Sequence, residues 1–278
     1  MTAAELGALA RWALMEEAET TPKPGLVDRE TNGAHRDMDF STFRRSAEAL
    51  EPWFSAMAEL GMTLDGTAED LFLALRPVGQ EAEQAMYAAT GGVNTHKGLI
   101  FTLGIYCGAA GRCLRDLGRV TEGALRETEQ EMVVSVLTGE LRRLRTAPAA
   151  THGVRNLQQY GAPGVRGEAI RGYPAVWDLA LPVLRQDGDW NRVKLQALLT
   201  LMASCEDSNV LARRDPAVLG RVQQDAAAFL RSGGSHGPDA LDRLRALDRA
   251  YTQENISPGG CADLLATAIF MKGLLEIQ

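Results

Sequence analysis

Runs of alternating or β-branched residues that would mark strands are nearly absent from this chain of 278 residues, which excludes a sheet protein at the outset. A basic excess is missing too. With 29 Lys and Arg against 36 Asp and Glu, a formal charge of −7 and a pI near 5.3, the surface is unsuited to displacing counterions from DNA or RNA. Local basic pockets remain open to it. The four cysteines, Cys107, Cys113, Cys205 and Cys261, form no CxxC pair and read as small core residues in a reducing compartment. The most apolar segment, Gly98 to Gly111, is about 14 residues, too short to cross a bilayer as a helix. The chain opens with Glu5, Glu16, Glu17 and Glu19 and lacks the basic start and apolar run of a signal peptide. A soluble, cytoplasmic protein is expected, without membrane or nucleic-acid partners.

What is there is helical. Hydrophobic residues make up 45% of the chain, enough for a sizeable core. The periodicity predicts helices over 4–18, with Leu6, Leu9, Ala13 and Leu14 on one side, and over 41–60. Thr67 followed by Asp70 resembles a capping box and opens a third helix, ending before Gly91 and Gly92. Gly104, Gly108 and Gly111 bare one stripe of a segment over 97–117. Another helix can approach that backbone closely, so it reads as the central buried helix. A charged amphipathic helix over 121–145 should lie on the surface. Past a Gly-rich connection, 166–184 is helical with a kink at Pro174, and helices near 190–205, 215–231, 238–253 and 258–276 finish the chain. The expectation is an all-α fold, one compact domain over 1–278 with about ten helices around the Gly-striped one.

Five polar clusters fall at predicted helix ends. The connection over 20–39 has about 20 positions without an apolar period, a length that is uncommon and often functional. It carries Lys23, Asp28, His35, Asp37 and Asp39 between Pro22, Pro24, Gly25 and Gly33; its bland reading is a solvated loop. Asn94-Thr95-His96-Lys97 precedes the central helix, where free N–H groups and two basic side chains suit a phosphate. Asn94 or Thr95 could equally just cap it. Arg166 and Glu168 stand in a Gly-rich stretch, offering an anion partner and a proton acceptor or metal ligand. Glu206-Asp207-Ser208-Asn209 follows an apolar helix, and acids there call for something positive, Arg213 or a metal ion. Ser257-Pro258-Gly259-Gly260 opens the last helix, whose Asp263 is drawn toward the interior and needs a partner. Each cluster has a bland explanation in capping. Five together point to one shared site.

Thr21-Pro22-Lys23-Pro24-Gly25-Leu26-Val27-Asp28, Asn32-Gly33-Ala34-His35-Arg36-Asp37-Met38-Asp39, Gly92-Val93-Asn94-Thr95-His96-Lys97-Gly98 and Ser257-Pro258-Gly259-Gly260 resemble, in this order, the triphosphoribosyl-dephospho-CoA synthase family. Arg166-Gly167-Glu168 and Asp207-Ser208-Asn209 look like that family's pattern as well. Cys261 departs from it, standing where the family has a small residue without a thiol; it reads as a packing substitution. The resemblance implies that the 2′-hydroxyl of 3′-dephospho-CoA attacks C1′ of ATP, adenine leaves and the triphosphate is kept. The product is the prosthetic-group precursor of citrate lyase or malonate decarboxylase, passed on to a separate acyl carrier protein transferase. Lys23, His96, Lys97 and Arg166 are then candidates for phosphate, with Asn94 and Asn209 as further substrate contacts. Asp37, Asp39 and Asp207 are candidates for Mg²⁺, and Glu168 or His35 for acid or base, with no choice between them. Asp28 and Asp263 instead hold the loop by accepting N–H groups.

Two rivals are weighed beside it: a Mg²⁺-dependent all-α N-glycoside hydrolase using water as acceptor, and a non-catalytic helical adaptor whose clusters only cap helices. A homodimer stays open.

Overall fold

A computed structural model describes residues 1–277, and its described residues contain helices and no strand. The chain opens with α1 (Ala3–Glu19), α2 (Phe40–Thr63), α3 (Ala68–Thr90), α4 (Lys97–Leu117) and α5 (Glu122–Leu144). Their starts are set by short polar side chains. Thr2 with Glu5, Asp39 with Thr42 and Thr67 with Asp70 form reciprocal caps that satisfy first-turn N–H groups. Gly91 and Gly118, at φ 69° and 68°, end α3 and α4 in the left-handed region.

The bare stripe on α4 receives α2. A Cβ on Gly111 would lie 2.2 Å from the Ala58 carbonyl oxygen, and one on Gly61 would lie 2.1 Å from that of Gly108. Glycines on both helices thus let the two backbones meet directly. Leu99, Leu103, Tyr106, Cys107 and Cys113 bury the rest of α4.

The second half adds α6 (His152–Tyr160), α7 (Gly164–Ile170), a π-helical turn (Ala175–Ala180) running into α8 (Leu181–Leu184), α9 (Trp190–Ser204), α10 (Ser208–Arg213), α11 (Pro216–Arg231), α12 (Ala240–Gln253) and α13 (Gly259–Glu276). The last helix is buried through Leu265–Met271 and packs on α1, where a Cβ on Gly273 would lie 2.7 Å from Leu9. One hydrophobic cluster runs from Leu6 to Leu274. No helix among the described residues is long and apolar enough to cross a membrane.

Two expectations are corrected. The Gly-rich connection contains α6, because the Thr151 hydroxyl caps it at Val154 N (3.3 Å) and Gly161 stops it. Residues 166–184 are broken rather than kinked, since Gly172 and Tyr173, at φ 76° and 52°, turn the chain before Pro174. The charged α5 is amphipathic and lies at the surface as expected; its inner face buries Leu125, Met132, Val133 and Leu137, with Glu129 sealed among them.

Candidate functional site

The loop over 20–39 has no regular structure, yet Pro22 to Asp28 are all buried. The Asp28 carboxylate accepts from the N–H groups of Lys23 (2.8 Å), Glu30 (2.7 Å) and Thr31 (2.9 Å), as expected of a residue that shapes the loop. From α12, Asp248 accepts from Gly25 N (2.9 Å) and the Thr31 hydroxyl (3.0 Å). From α9, Asn191 clasps Thr21 at both its N–H and its carbonyl. Gly25 takes φ +72°, and a Cβ there would also meet the Ile256 carbonyl oxygen at 2.1 Å, so both backbone angle and space call for glycine.

This folding drives Lys23 inward, to 1% exposure. Its ammonium pairs with the Glu17 carboxylate and donates to the Glu17 carbonyl at 2.8 Å. One of its three hydrogens remains for a ligand. Burial outweighs the ammonium at Glu17 and pushes that carboxyl up.

Lys23 and Glu17 belong to a polar lobe of about 270 Å³ that also takes in His35, Asp37, His96 and Arg213. Arg213 Nη2 lies 3.1 Å from His35 Nδ1 and 3.4 Å from Nε2, which sets the guanidinium against the ring. His35 Nε2 shares a hydrogen bond with Ser257 Oγ (2.9 Å). Burial first and Arg213 second pull the His35 imidazole down to about 4, so it is neutral at pH 7. Asp37, 3.8 Å from His35, is largely exposed.

A larger lobe of about 630 Å³ lies beyond, with Leu141, Leu157, Val165 and Leu264 among its walls. Glu168 is tied on both oxygens, to Arg171 (2.7 Å) and to Ala175 N (3.1 Å). Arg166 Nε approaches Glu140 at 3.4 Å. Asn94, Lys97, Gly98, Asn209 and Asp263 line both lobes, so the two adjoin as one cleft where α4 and α13 begin. Asn94 accepts from Lys97 N (3.2 Å), and the Lys97 ammonium pairs with Glu83 (2.7 Å). Asp263 sits against the bare first turn of α4, where a Cβ on Gly98 would lie 2.3 Å from Oδ2. No protein hydrogen bond reaches its carboxyl, in contrast to the anchoring role expected from the sequence. Burial, then Glu17, then Asp207 push it well above the carboxylate range.

The carboxylates expected to hold Mg²⁺ do not converge. Asp39 caps α2 through Thr42 N (2.7 Å) and lines neither lobe. Asp207 accepts from Asn209 N (2.9 Å), Val210 N (3.1 Å) and Cys261 N (2.8 Å), joining α10 to α13. Only Asp37 faces the cleft openly, and among the described residues no cluster of three metal-ligating groups occurs. A preformed protein cage for a metal does not fit these residues.

Glu17 and Arg213 went unassigned in sequence. Glu17 lies inside a regular helix and carries no motif; its signal was a lone acid on the buried side of α1, in line with Ala13 and Leu14. Arg213 was noticed only as a counter-charge for the neighbouring acids.

The chain matches, over residues 3–278, the family described as CitG, ATP:dephospho-CoA triphosphoribosyl transferase. Curated relatives from two strains of Vibrio cholerae serotype O1 carry the name "Probable 2-(5''-triphosphoribosyl)-3'-dephosphocoenzyme-A synthase". Each is 41% identical over 277 residues, spanning 98% of this chain and 88% of the relative. No solved structure matches.

Proposed function

This chain belongs to the CitG family of ATP:dephospho-CoA triphosphoribosyl transferases, and from that premise we propose that it moves the 5-triphosphoribosyl unit of ATP onto the 2′-hydroxyl of 3′-dephospho-CoA, releasing adenine. The C1′–N9 bond of ATP breaks and a C1′–O bond forms. The attacking hydroxyl loses a proton and adenine gains one. The observation that carries the reading is the two-lobed cleft with a cationic end, joined at Gly98 and Asp263.

Charge allocates the substrates. Lys23, Lys97 and Arg213 bring three cations to the polar lobe, which suits a triphosphate. The larger, more apolar lobe suits the pantetheine arm and the base, with Arg166 and Asn209 at its walls. The reacting carbon then falls where the lobes meet. Asp263 there has the free carboxyl that His35 and Glu168, both engaged in hydrogen bonds, lack. It is the group best placed to protonate the departing adenine, while His35 and Glu168 orient what surrounds it.

Mg²⁺ enters this reading as the companion of ATP, since it needs only one or two carboxylates besides phosphate oxygens and water. Asp37 is the member of the expected trio that faces the triphosphate lobe. Bound there, Mg²⁺ would neutralise phosphate charge. A separate transferase would load the product onto the acyl carrier protein of citrate lyase or malonate decarboxylase.

Mass analysis after mixing the protein with ATP, Mg²⁺ and 3′-dephospho-CoA tests the proposal. Free adenine and a CoA derivative heavier by one triphosphoribosyl unit are expected. Adenine formed without the second substrate would point to a hydrolase, and absence of ATP binding by calorimetry to an adaptor.

A further inference from the structure

His96 is 2% exposed, and its Nε2 is sealed from water without a hydrogen-bond partner. Buried polar atoms without partners are rare in folded proteins, and a functional site is one of the few settings that explains them. The other ring nitrogen is fully engaged. Nδ1 lies 2.7 Å from the Ser46 hydroxyl, which lies 2.7 Å from the Thr95 hydroxyl. Phe43 packs its ring edge-on at 4.9 Å, fixing the plane of the imidazole. Since Nδ1 faces α2, Nε2 looks the opposite way, and His96, Thr95 and Lys23 all line the polar lobe.

We propose that Thr95 and Ser46 form a hydroxyl relay that fixes His96 as the Nε2–H tautomer, so that a neutral imidazole N–H beside the Lys23 ammonium donates to a phosphate oxygen of the substrate.

The direction of the relay follows from hydrogen counting. Thr95 donates to Ser46, and a hydroxyl owns one hydrogen. Ser46 therefore sends its own hydrogen to Nδ1, and the ring's hydrogen must sit on Nε2. Protonation of both nitrogens is opposed by burial and by Lys23, which together bring the imidazole down to about 3. Lys23 supplies the charge, and His96 supplies a donor of fixed direction that adds no second buried cation. Ser46 on α2, which lies in no polar motif of the sequence, and Thr95, which the sequence offered only as a cap, become positioning residues.

The inference rests on the triphosphate occupying the polar lobe, and its test does not require turnover. In ¹⁵N-labelled protein, long-range ¹H–¹⁵N correlation of the four histidines should show His96 with its hydrogen on Nε2 at pH 7, and with mixed tautomers in Ser46→Ala. Inorganic triphosphate, titrated calorimetrically, should bind about ten- to a hundredfold more weakly to His96→Leu and about tenfold more weakly to Ser46→Ala and Thr95→Val. His96→Gln, whose amide N–H can reach the Nε2 position, should recover most of the affinity; His96→Asn should not. With turnover, Ser46→Ala should raise KM for ATP and leave KM for 3′-dephospho-CoA unchanged. A hydrogen found on Nδ1, or wild-type triphosphate affinity in His96→Leu, overturns the inference. If no CoA derivative forms while these triphosphate losses persist, the reaction proposed above fails and this inference stands.

Discussion

The two lobes of the cleft are built by opposite means. The polar lobe rests on a loop with no regular secondary structure, yet its stretch from Pro22 to Asp28 is buried and held by Asp28, Asp248 and Asn191. The larger lobe is walled by residues of regular helices, but α6 and α7 are only 9 and 7 residues long, and a Cβ on Gly161 between them would meet nothing within 4 Å. Rigidity here follows from burial and satisfied hydrogen bonds, not from secondary structure. The lobe expected to hold the charged substrate is the more firmly anchored of the two. The lobe expected to take the longer, more flexible substrate has room to adjust.

The residue between the lobes should give the largest effect. Asp263→Asn keeps the shape and removes the acidic proton, so kcat should fall by about 10²- to 10⁴-fold. ATP binding, followed by calorimetry, should change little. An active Asp263→Asn enzyme would return the acid role to His35 or Glu168.

Gly25→Ala tests the loop that carries the polar lobe. The new methyl would be driven to 2.1 Å from a backbone carbonyl oxygen, in a conformation that L residues rarely adopt. A loss of about 3 kcal/mol or more in urea unfolding is expected, along with Lys23 leaving its pocket and loss of triphosphate binding. A fully stable Gly25→Ala protein would mean that the loop is softer than its contacts imply.

Much of the frame was legible. The Gly stripe on α4 announced a close helix contact, because only glycine leaves that surface bare, and α2 supplies it with a glycine of its own. Capping pairs such as Thr67 with Asp70 marked helix starts, because few residue types can satisfy first-turn N–H groups. The same chemistry hid the details of the site. A carboxylate before a helix looks alike in sequence whether it caps or binds metal, and Asp39 and Asp207 turn out to cap α2 and α10. Ser46 sits inside a helix, where nothing local distinguishes a partner of the site from an ordinary polar residue, and Glu17 is marked only by its place on the buried side of α1. Their roles arise from contacts between distant segments, and periodicity carries no record of those.

Glu129 probes the support behind α7, a helix that walls the larger lobe. Its neighbour Gln130 bridges the Glu129 carboxylate (2.7 Å) and the Ala169 carbonyl of α7 (2.9 Å). Burial pushes the Glu129 carboxyl from the ordinary 4.5 to about 8, so the folded protein keeps a proton that the unfolded chain releases above about 4.5. The unfolded state binds fewer protons across that window, and stability falls as pH rises from about 4.5 to 8. The total is at most a few kcal/mol. Glu129→Gln should flatten this fall, being more stable than wild type at pH 8 and no better at pH 5, as read by urea midpoints. Parallel profiles for the two proteins would remove Glu129 as the cause.

The smallest effect should come from Gly161→Ala, the counterpart of Gly25→Ala in the other lobe. Gly161 closes α6 at φ +73°, close to the value at Gly25, but open space surrounds it. Only the conformational penalty applies, and it is partly offset because alanine also restricts the unfolded chain. A net loss of about 0.5–1 kcal/mol, or roughly 1–4 °C in Tm, is expected. Asparagine tolerates the left-handed region, so Gly161→Asn should recover most of that loss. Gly25→Asn should recover little, because contact with the Ile256 carbonyl persists whatever the backbone preference. Equal rescue at both positions would show that strain alone, and not packing, separates the two walls of the cleft.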